Sequence, residues 1–189
     1  TLLASSAASD VYKRQIWIGS QDNGISVLNM ETHTIVNYAH DPADVNSLSS
    51  NKVFSFVELP DGNMLIGMID GGIDLFDYSS KKFIRNYIPS VKGAFTLKEG
   101  KDNNVWIGTD GDGIYRLNAD REVDRHYTAD KLPAGVVLTI FEDSRGRIWL
   151  GTYLHGLFLY DERSDSFQSI RLQTGGRAVS YTHLTLPTK

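Results

Sequence analysis

Ile16-Trp17-Ile18-Gly19 returns as Met64-Leu65-Ile66-Gly67, then as Val105-Trp106-Ile107-Gly108, and then as Ile148-Trp149-Leu150-Gly151. The closing glycines, 19, 67, 108 and 151, stand 48, 41 and 43 residues apart. Five residues after each comes a second glycine: Gly24, Gly72, Gly113 and Gly156. An apolar pair follows each of these: Ile25/Val27, Ile73/Leu75, Ile114/Leu117 and Leu157/Leu159. All three tryptophans of the chain hold one register of the phrase. Strand-type patterning at a period of roughly 40–50 residues is the mark of a β-propeller blade.

The second repeat shows how a blade is written. Val53 to Leu59 is an apolar, β-prone run, and Pro60-Asp61-Gly62-Asn63 is a hairpin turn. Met64 to Met68 is the next strand and Asp70-Gly71-Gly72 the next turn. Ile73 to Tyr78 alternates, Ser79-Ser80-Lys81 turns the chain, and Phe83 to Tyr87 closes the repeat as a fourth strand. The third repeat aligns as 94–99, 105–108, 113–118 and 123–127, and the fourth as 136–142, 147–151, 156–160 and 166–170. No stretch sustains a 3.6-residue period, so almost no helix is expected. The expected fold is all-β, an open arc of about three complete four-stranded antiparallel blades plus a partial one. The blades run over 16–38 (partial), 51–88, 92–128 and 134–172.

The glycines have backbone reasons. Turns of the Asp-Gly and Gly-Gly kind need positive φ, which costs glycine little. Glycine inside a strand, as at Gly67 or Gly108, points to close approach between blades. Trp17, Trp106 and Trp149, with Leu65 in the same slot, are expected to pack blade against blade. Trp17, Gly19, Gly24, Gly67, Gly72, Trp106, Gly108, Gly113, Trp149, Gly151 and Gly156 are therefore read as structural repeat positions.

Composition narrows the function. The chain has 189 residues, 41% of them hydrophobic and 11% aromatic, enough for a substantial globular core. Its formal net charge is −4, with no basic surplus to meet phosphates, which argues against a nucleic-acid partner for this segment. Cysteine is absent, which removes disulfides and thiolate metal sites. The longest apolar run, about 134–141, is far short of the roughly 20 residues a membrane helix needs.

The two ends do not fit the repeat. Residues 9–15 stand where the first repeat should have its inner strand, and 178–189 read Ala-Val-Ser-Tyr-Thr-His-Leu-Thr-Leu-Pro-Thr-Lys. Both resemble peptides that arise when sequencing adapters are translated at the ends of assembled fragments. The expectation is that 1–15 and 178–189 are artefact and that 16–177 is a propeller segment of a longer chain; ordinary linkers are the alternative.

Enzyme signatures mostly fail along the repeats. Gly111-Asp112-Gly113 lacks the third glycine of a dinucleotide loop, because position 116 is Arg. Asp110 and Asp112 resemble the start of a calcium loop, but position 121 is Arg where a bidentate Glu is needed. His33, His40, His126, His155 and His183 have no ligand spacing, so neither metal nor cofactor is expected. In a propeller, second-to-third turns and blade connectors share one face. That face would carry Asp22, Asn23, Lys52, Asp70, Asp110, Asp112, Tyr153 and His155 as ligand-binding candidates, with Gln21, Asn51, Lys92 and Lys131 beside them. Carboxylates and amides suit sugar hydroxyls, and Tyr153 offers a ring to stack on. The plainer reading of the same residues is solvated turn.

The fourth repeat also carries a family resemblance. Glu142-Asp143-Ser144-Arg145-Gly146-Arg147-Ile148-Trp149-Leu150-Gly151-Thr152 resembles the two-component regulator propeller repeat nearly residue for residue, and 103–109 is similar to it. The connector Tyr38-Ala39-His40-Asp41-Pro42 with Asn46-Ser47-Leu48-Ser49-Ser50-Asn51 resembles the link of this family in Bacteroidetes. The second blade departs from the pattern, with Leu65 for Trp and Met68 for Thr. The resemblance implies a non-catalytic, carbohydrate-responsive sensor segment of a hybrid histidine kinase and response regulator. It also implies a periplasmic location, an oligosaccharide ligand, homodimerisation of the parent, and membrane, kinase, receiver and DNA-binding parts farther along, linked by phosphorelay. The alternatives are a propeller enzyme (a polysaccharide lyase or glycosidase) with paired carboxylates across its channel, and a protein-interaction scaffold.

Overall fold

The computed structural model describes residues 6–10, 14–128 and 130–170. The expectation placed on 178–189 lies outside them. Among the described residues sixteen strands form four separate four-stranded sheets, each an antiparallel meander. Blade 1 is β1 (Ser6–Asp10), β2 (Gln15–Gly19), β3 (Ile25–Asn29) and β4 (Ile35–Tyr38). Blade 2 is β5 (Val53–Glu58), β6 (Met64–Met68), β7 (Gly72–Asp77) and β8 (Lys82–Ile84). Blade 3 is β9 (Ala94–Glu99), β10 (Val105–Thr109), β11 (Ile114–Leu117) and β12 (Val123–Tyr127). Blade 4 is β13 (Val137–Glu142), β14 (Ile148–Thr152), β15 (Gly156–Asp161) and β16 (Ser166–Ile170). The inner strands β1, β5, β9 and β13 run side by side, which sets the blades round a common axis. One short 3-10 turn, Lys101–Asn103, is the only helical element among the described residues.

Two differences from the sequence reading have local causes. The first blade is not partial: Ser6–Asp10 pairs antiparallel with Gln15–Gly19 in the inner slot. An inner strand is held by its ladder to the second strand, so an unpatterned segment can occupy it through backbone bonds alone. The fourth strand of blade 2 stops at Ile84 rather than Tyr87. There Asp74 Oδ1 accepts the Asn86 amide at 2.9 Å, and Asn86 turns to φ 51, out of the ladder.

The blades meet through three apolar clusters. Between blades 1 and 2, Trp17 packs with Phe56, Phe76 and Phe83, and Tyr38 and Tyr78 flank it. Between blades 3 and 4, Trp106 packs with Tyr127 and Phe167, and Tyr160 flanks it. Between blades 2 and 3 the cluster is mostly aliphatic, with Leu65, Leu75, Leu97, Ile107 and Leu117 around Tyr115. Leu65 in the tryptophan slot thus changes the character of one whole interface. Trp149 lies in the last described blade and is half-buried; its indole donates to Asp143 Oδ2 at 3.0 Å and Arg147 lies over its ring. The strand glycines do bring blades close. A Cβ on Gly108 would stand 2.8 Å from Val137 Cγ1, and one on Gly19 would stand 2.8 Å from Val53 Cγ1, each on the next inner strand.

Candidate functional site

Each second-to-third turn is tied to a blade connector: in blades 1 and 3 to the one that leads to the next blade, and in blades 2 and 4 to the one that enters the same blade. The Gly24 amide donates to Asn51 O at 3.0 Å and Val53 N to Ser20 O at 2.8 Å. Gly111 N and Gly113 N both donate to Gly135 O, at 3.1 and 2.9 Å, and Tyr153 N donates to Val136 O at 3.1 Å. Gly24 and Gly113 hold φ 72, and a Cβ at either would come within 2.2 Å of a carbonyl oxygen, that of Tyr38 or Tyr127. Here glycine is required both for conformation and for space.

A hydroxyl tightens three of the four turns. Thr109 Oγ1 donates to Gly113 O at 2.8 Å and accepts from Asp112 N at 3.0 Å. Ser20 repeats both bonds with Gly24 and Asn23, and Thr152 donates to Gly156 O at 2.8 Å. Met68 has no hydroxyl, and blade 2 uses an ion pair instead. Lys52 Nζ donates to Asp70 Oδ2 at 2.5 Å, joining connector to turn. That hydrogen bond first, then the charges of Asp70 and Asp22, push the Lys52 pKa up despite some desolvation.

All eight candidate residues are exposed. Lys52 and Asp70 pair at the junction of blades 1 and 2, and the Asp22 charge is near enough to act on Lys52. Asn23 takes part through its amide on Ser20 Oγ. Asp112 forms a second group in blade 3. Tyr115 Oη donates to its Oδ2 at 2.5 Å, and His126 Nε2 lies 2.8 Å from its carbonyl oxygen and 3.4 Å from Oδ1. The Tyr115 and His126 rings stack at 3.8 Å. Burial first, then the Asp112 carboxylate, raise the Tyr115 pKa, so the hydroxyl stays a donor. Asp110 bridges to Val136 by backbone. Tyr153 and His155 stand in the blade 4 turn, with His155 Nδ1 3.0 Å from Tyr153 O. Lys92 turns to Pro89 O at 2.7 Å. Lys131 leaves the group: its ammonium lies 3.4 Å from Asp165, in the third-to-fourth turn of blade 4.

Sequence reasoning missed three sets of residues. A register shift in each of three inner strands leaves Phe54, Phe95 and Leu138 unpaired, as β-bulge residues. All three are half-buried, and Phe54 and Phe95 meet edge to face at 5.4 Å across two blades. Alternation alone could not show a bulge. Asp74 is fully buried in an apolar strand and accepts from Ser49 N, Ser49 Oγ and Asn86 N at 2.7, 2.7 and 2.9 Å. Burial raises its pKa, and those bonds and Arg85 offset part of the rise. Arg85 completes the latch by donating to the carbonyls of Asp41, Asp44 and Ser47 at 2.7–2.8 Å. An Asp inside the apolar run 72–76 was the available signal. The third set is Tyr115 with His126, opposite each other on neighbouring strands.

Among the described residues no group of three or more His, Asp or Glu stands close enough to hold a metal, and no helix is long and apolar enough to cross a membrane. A family model described as "Two component regulator propeller" matches residues 131–154, from the connector through the Trp149 strand to the blade 4 turn. "Histidine kinase P4" of Formosa agariphila is 28% identical over 152 residues, which is 72% of this chain and 11% of that protein. The extracellular domain assigned to a hybrid two component system of B. thetaiotaomicron is 26% identical with a TM-score of 0.73, over 86% of this chain and 22% of that one. Virginiamycin B lyase of Staphylococcus aureus shares the fold alone, with a TM-score of 0.64 at 16% identity over 92% of this chain and 55% of that one. The chain therefore spans about a tenth of the kinase and under a quarter of the extracellular domain. The copy of the phrase within residues 131–154 matches the two-component regulator propeller, and the chain resembles the extracellular domain of a hybrid two component system.

Proposed function

We propose that the chain is a ligand-sensing propeller segment of an extracytoplasmic two-component sensor whose kinase and receiver lie elsewhere in the parent protein. Its ligand is a hydroxyl-rich solute of the carbohydrate class, read by the turn face. The supporting observation is the tie between turn and connector. Asp70 is bonded to Lys52, and the Asp112 turn to Gly135, so a ligand that competes for either carboxylate also loads the strap between two blades. A ligand that favours one arrangement of blades by differential affinity shifts its population, and no chemical step is needed. The segment itself is read as non-catalytic and the parent as a homodimer. The alternative readings, enzyme and scaffold, have no observation of their own in their favour.

Isothermal titration of the chain against a panel of neutral and acidic oligosaccharides tests this. A saturable heat that is weakened by Asp70→Asn or Asp112→Asn is expected. Silence across the panel, or heat indifferent to both substitutions, would overturn the solute-sensing reading. Turnover of any member of the panel would replace it by the enzyme reading.

A further inference from the structure

A cleft of about 190 Å³ opens between blades 1 and 2, on the side away from the turn face. Its walls are aromatic: Trp17, Tyr38, Phe76 and Tyr78. Asn29 and Lys81 stand among its polar lining. The volume is below the roughly 300–1,000 Å³ of sites for drug-sized ligands, so one small ring fits and little more.

The junction of blades 3 and 4 repeats this frame. Trp17 stacks on Tyr38 at 6.2 Å, as Trp106 does on Tyr127 at 6.0 Å. Phe76 meets Trp17 at 5.1 Å, as Tyr160 meets Trp106 at 5.1 Å. Lys81 and Asp165 both precede the fourth strand in positive-φ turns, at φ 59 and φ 48. In blades 3 and 4 that turn places a carboxylate among the rings. Asp165 Oδ1 accepts from Tyr127 Oη at 2.6 Å and Tyr160 Oη at 2.8 Å, and Lys131 Nζ lies 3.4 Å from Oδ2. In blades 1 and 2 the rings and a cation are present, but the carboxylate is not. The Tyr38 hydroxyl has no hydrogen-bond partner among the described residues, and neither has the buried Trp17 Nε1. Lys81 Nζ rests 4.6 Å from the centre of the Tyr78 ring. Arg116, which covers Trp106 at 5.5 Å, is replaced at the matching cross-strand position by Val27, and that leaves the space open.

We infer that the cleft between blades 1 and 2 binds a small ring-bearing carboxylate, its acid group beside Tyr38 and Lys81 where Asp165 stands in the other junction. The ring lies against the aromatic walls. This site is separate from the turn face and does not depend on the reading given there. An aromatic acid and a sugar acid share this chemistry, and the test distinguishes them.

The indole N–H resonances of the full chain, recorded by nitrogen-15 NMR, give a direct readout, with the Trp17 peak assigned by Trp17→Phe. Benzoate and glucuronate are the probes; benzamide and glucose are their neutral counterparts. The Trp17 peak should move saturably with at least one acid and at least about tenfold more weakly with its neutral counterpart, since a charged partner is lost. Movement with benzoate alone assigns an aromatic acid, and movement with glucuronate alone a sugar acid. Lys81→Gln, an exposed turn substitution, should weaken binding by a similar factor while the Trp106 and Trp149 peaks stay in place. No movement with either acid, equal movement with acid and neutral probe, or binding unchanged in Lys81→Gln would each overturn the proposal.

Discussion

The junction of blades 1 and 2 and that of blades 3 and 4 share one aromatic frame but treat polarity in opposite ways. In the second, Asp165 satisfies two tyrosine hydroxyls and faces Lys131 and Arg125, each at 3.4 Å. In the first, Lys81 replaces it and a cleft remains. The frame is what the repeat specifies; what fills the space between frames is left to single residues. Burial of a side chain the size of tryptophan, with four ring pairs at Trp17 and three at Trp106, dominates the energy of either junction. The polar filling adjusts it by the smaller scale of net hydrogen bonds.

The largest expected effect tests the shared frame. Trp106→Ala and Trp17→Ala should each cost about 3–5 kcal/mol, the usual range for truncating a buried tryptophan. Trp106→Ala should cost more, because Arg116 loses the ring that it covers. Urea midpoints at matched m-values would measure both. Equal losses would mean that Arg116 adds nothing to the frame, and a small loss at Trp17 would show that its junction is not closed in solution.

The frame was legible in the sequence because it rests on period and residue type. The tryptophan register and the paired glycines mark the blades, Trp17 and Trp106 lie in blade junctions, and the Leu65 exception accounts for the aliphatic junction of blades 2 and 3. The candidates of the turn face were placed together on topology alone, and among them Lys52 and Asp70 form an ion pair. What was not legible depends on contacts between repeats. Asp165 and Lys81 hold one turn position, but nothing local tells that one reaches two tyrosines and the other does not. Asp74 looked like an alternation residue, although its three partners come from two segments distant in sequence. The bulges at Phe54, Phe95 and Leu138 depend on register with a neighbouring strand, which a single strand's pattern does not encode. The inner strand of blade 1 was unreadable for a related reason, since backbone pairing asks little of residue type.

Asp165 carries the next effect, and its sign follows from its environment. Burial opposes its charge, but the hydroxyls of Tyr127 and Tyr160, with Lys131, outweigh that and hold its pKa down at about 2. An unfolded aspartate titrates near pH 3.9. The folded value is the lower, so the contribution to stability is present above about pH 4 and is lost as pH falls toward 2. Asp165→Asn should cost about 1–3 kcal/mol at pH 7, the range for disturbing buried hydrogen bonds. Its loss should shrink between pH 4 and pH 2. A pH-independent difference between the two proteins would remove the carboxylate from the account of this junction.

The connector latch gives a comparable but pH-neutral contrast. Asp74→Ala leaves the amides of Ser49 and Asn86 without their acceptor and should cost about 1–3 kcal/mol. Hydrogen exchange should rise at Ser49 and Asn86 before it rises in the strands of blade 2. Exchange that rises first in β6 or β7 would mean that the strap is held by packing rather than by the buried carboxylate.

The smallest effect is the sharpest test of equivalence between the two junctions. Lys81→Asp puts an acid at the turn position that Asp165 occupies, in a backbone conformation that Asp tolerates well. Tyr38 is the only hydroxyl of the pair to gain an acceptor, because Phe76 stands where Tyr160 stands in the other junction. The gain should therefore be about 0.5–1 kcal/mol, one net hydrogen bond rather than two. The Tyr38 pKa, already raised by burial, should rise further. Adding Phe76→Tyr to Lys81→Asp should contribute more than the sum of the separate changes, as one carboxylate would then bridge two hydroxyls. A double-mutant cycle with no coupling would show that the junctions share rings but not a polar geometry. The missing carboxylate would then be a difference in local sequence and not a vacancy that a ligand can fill.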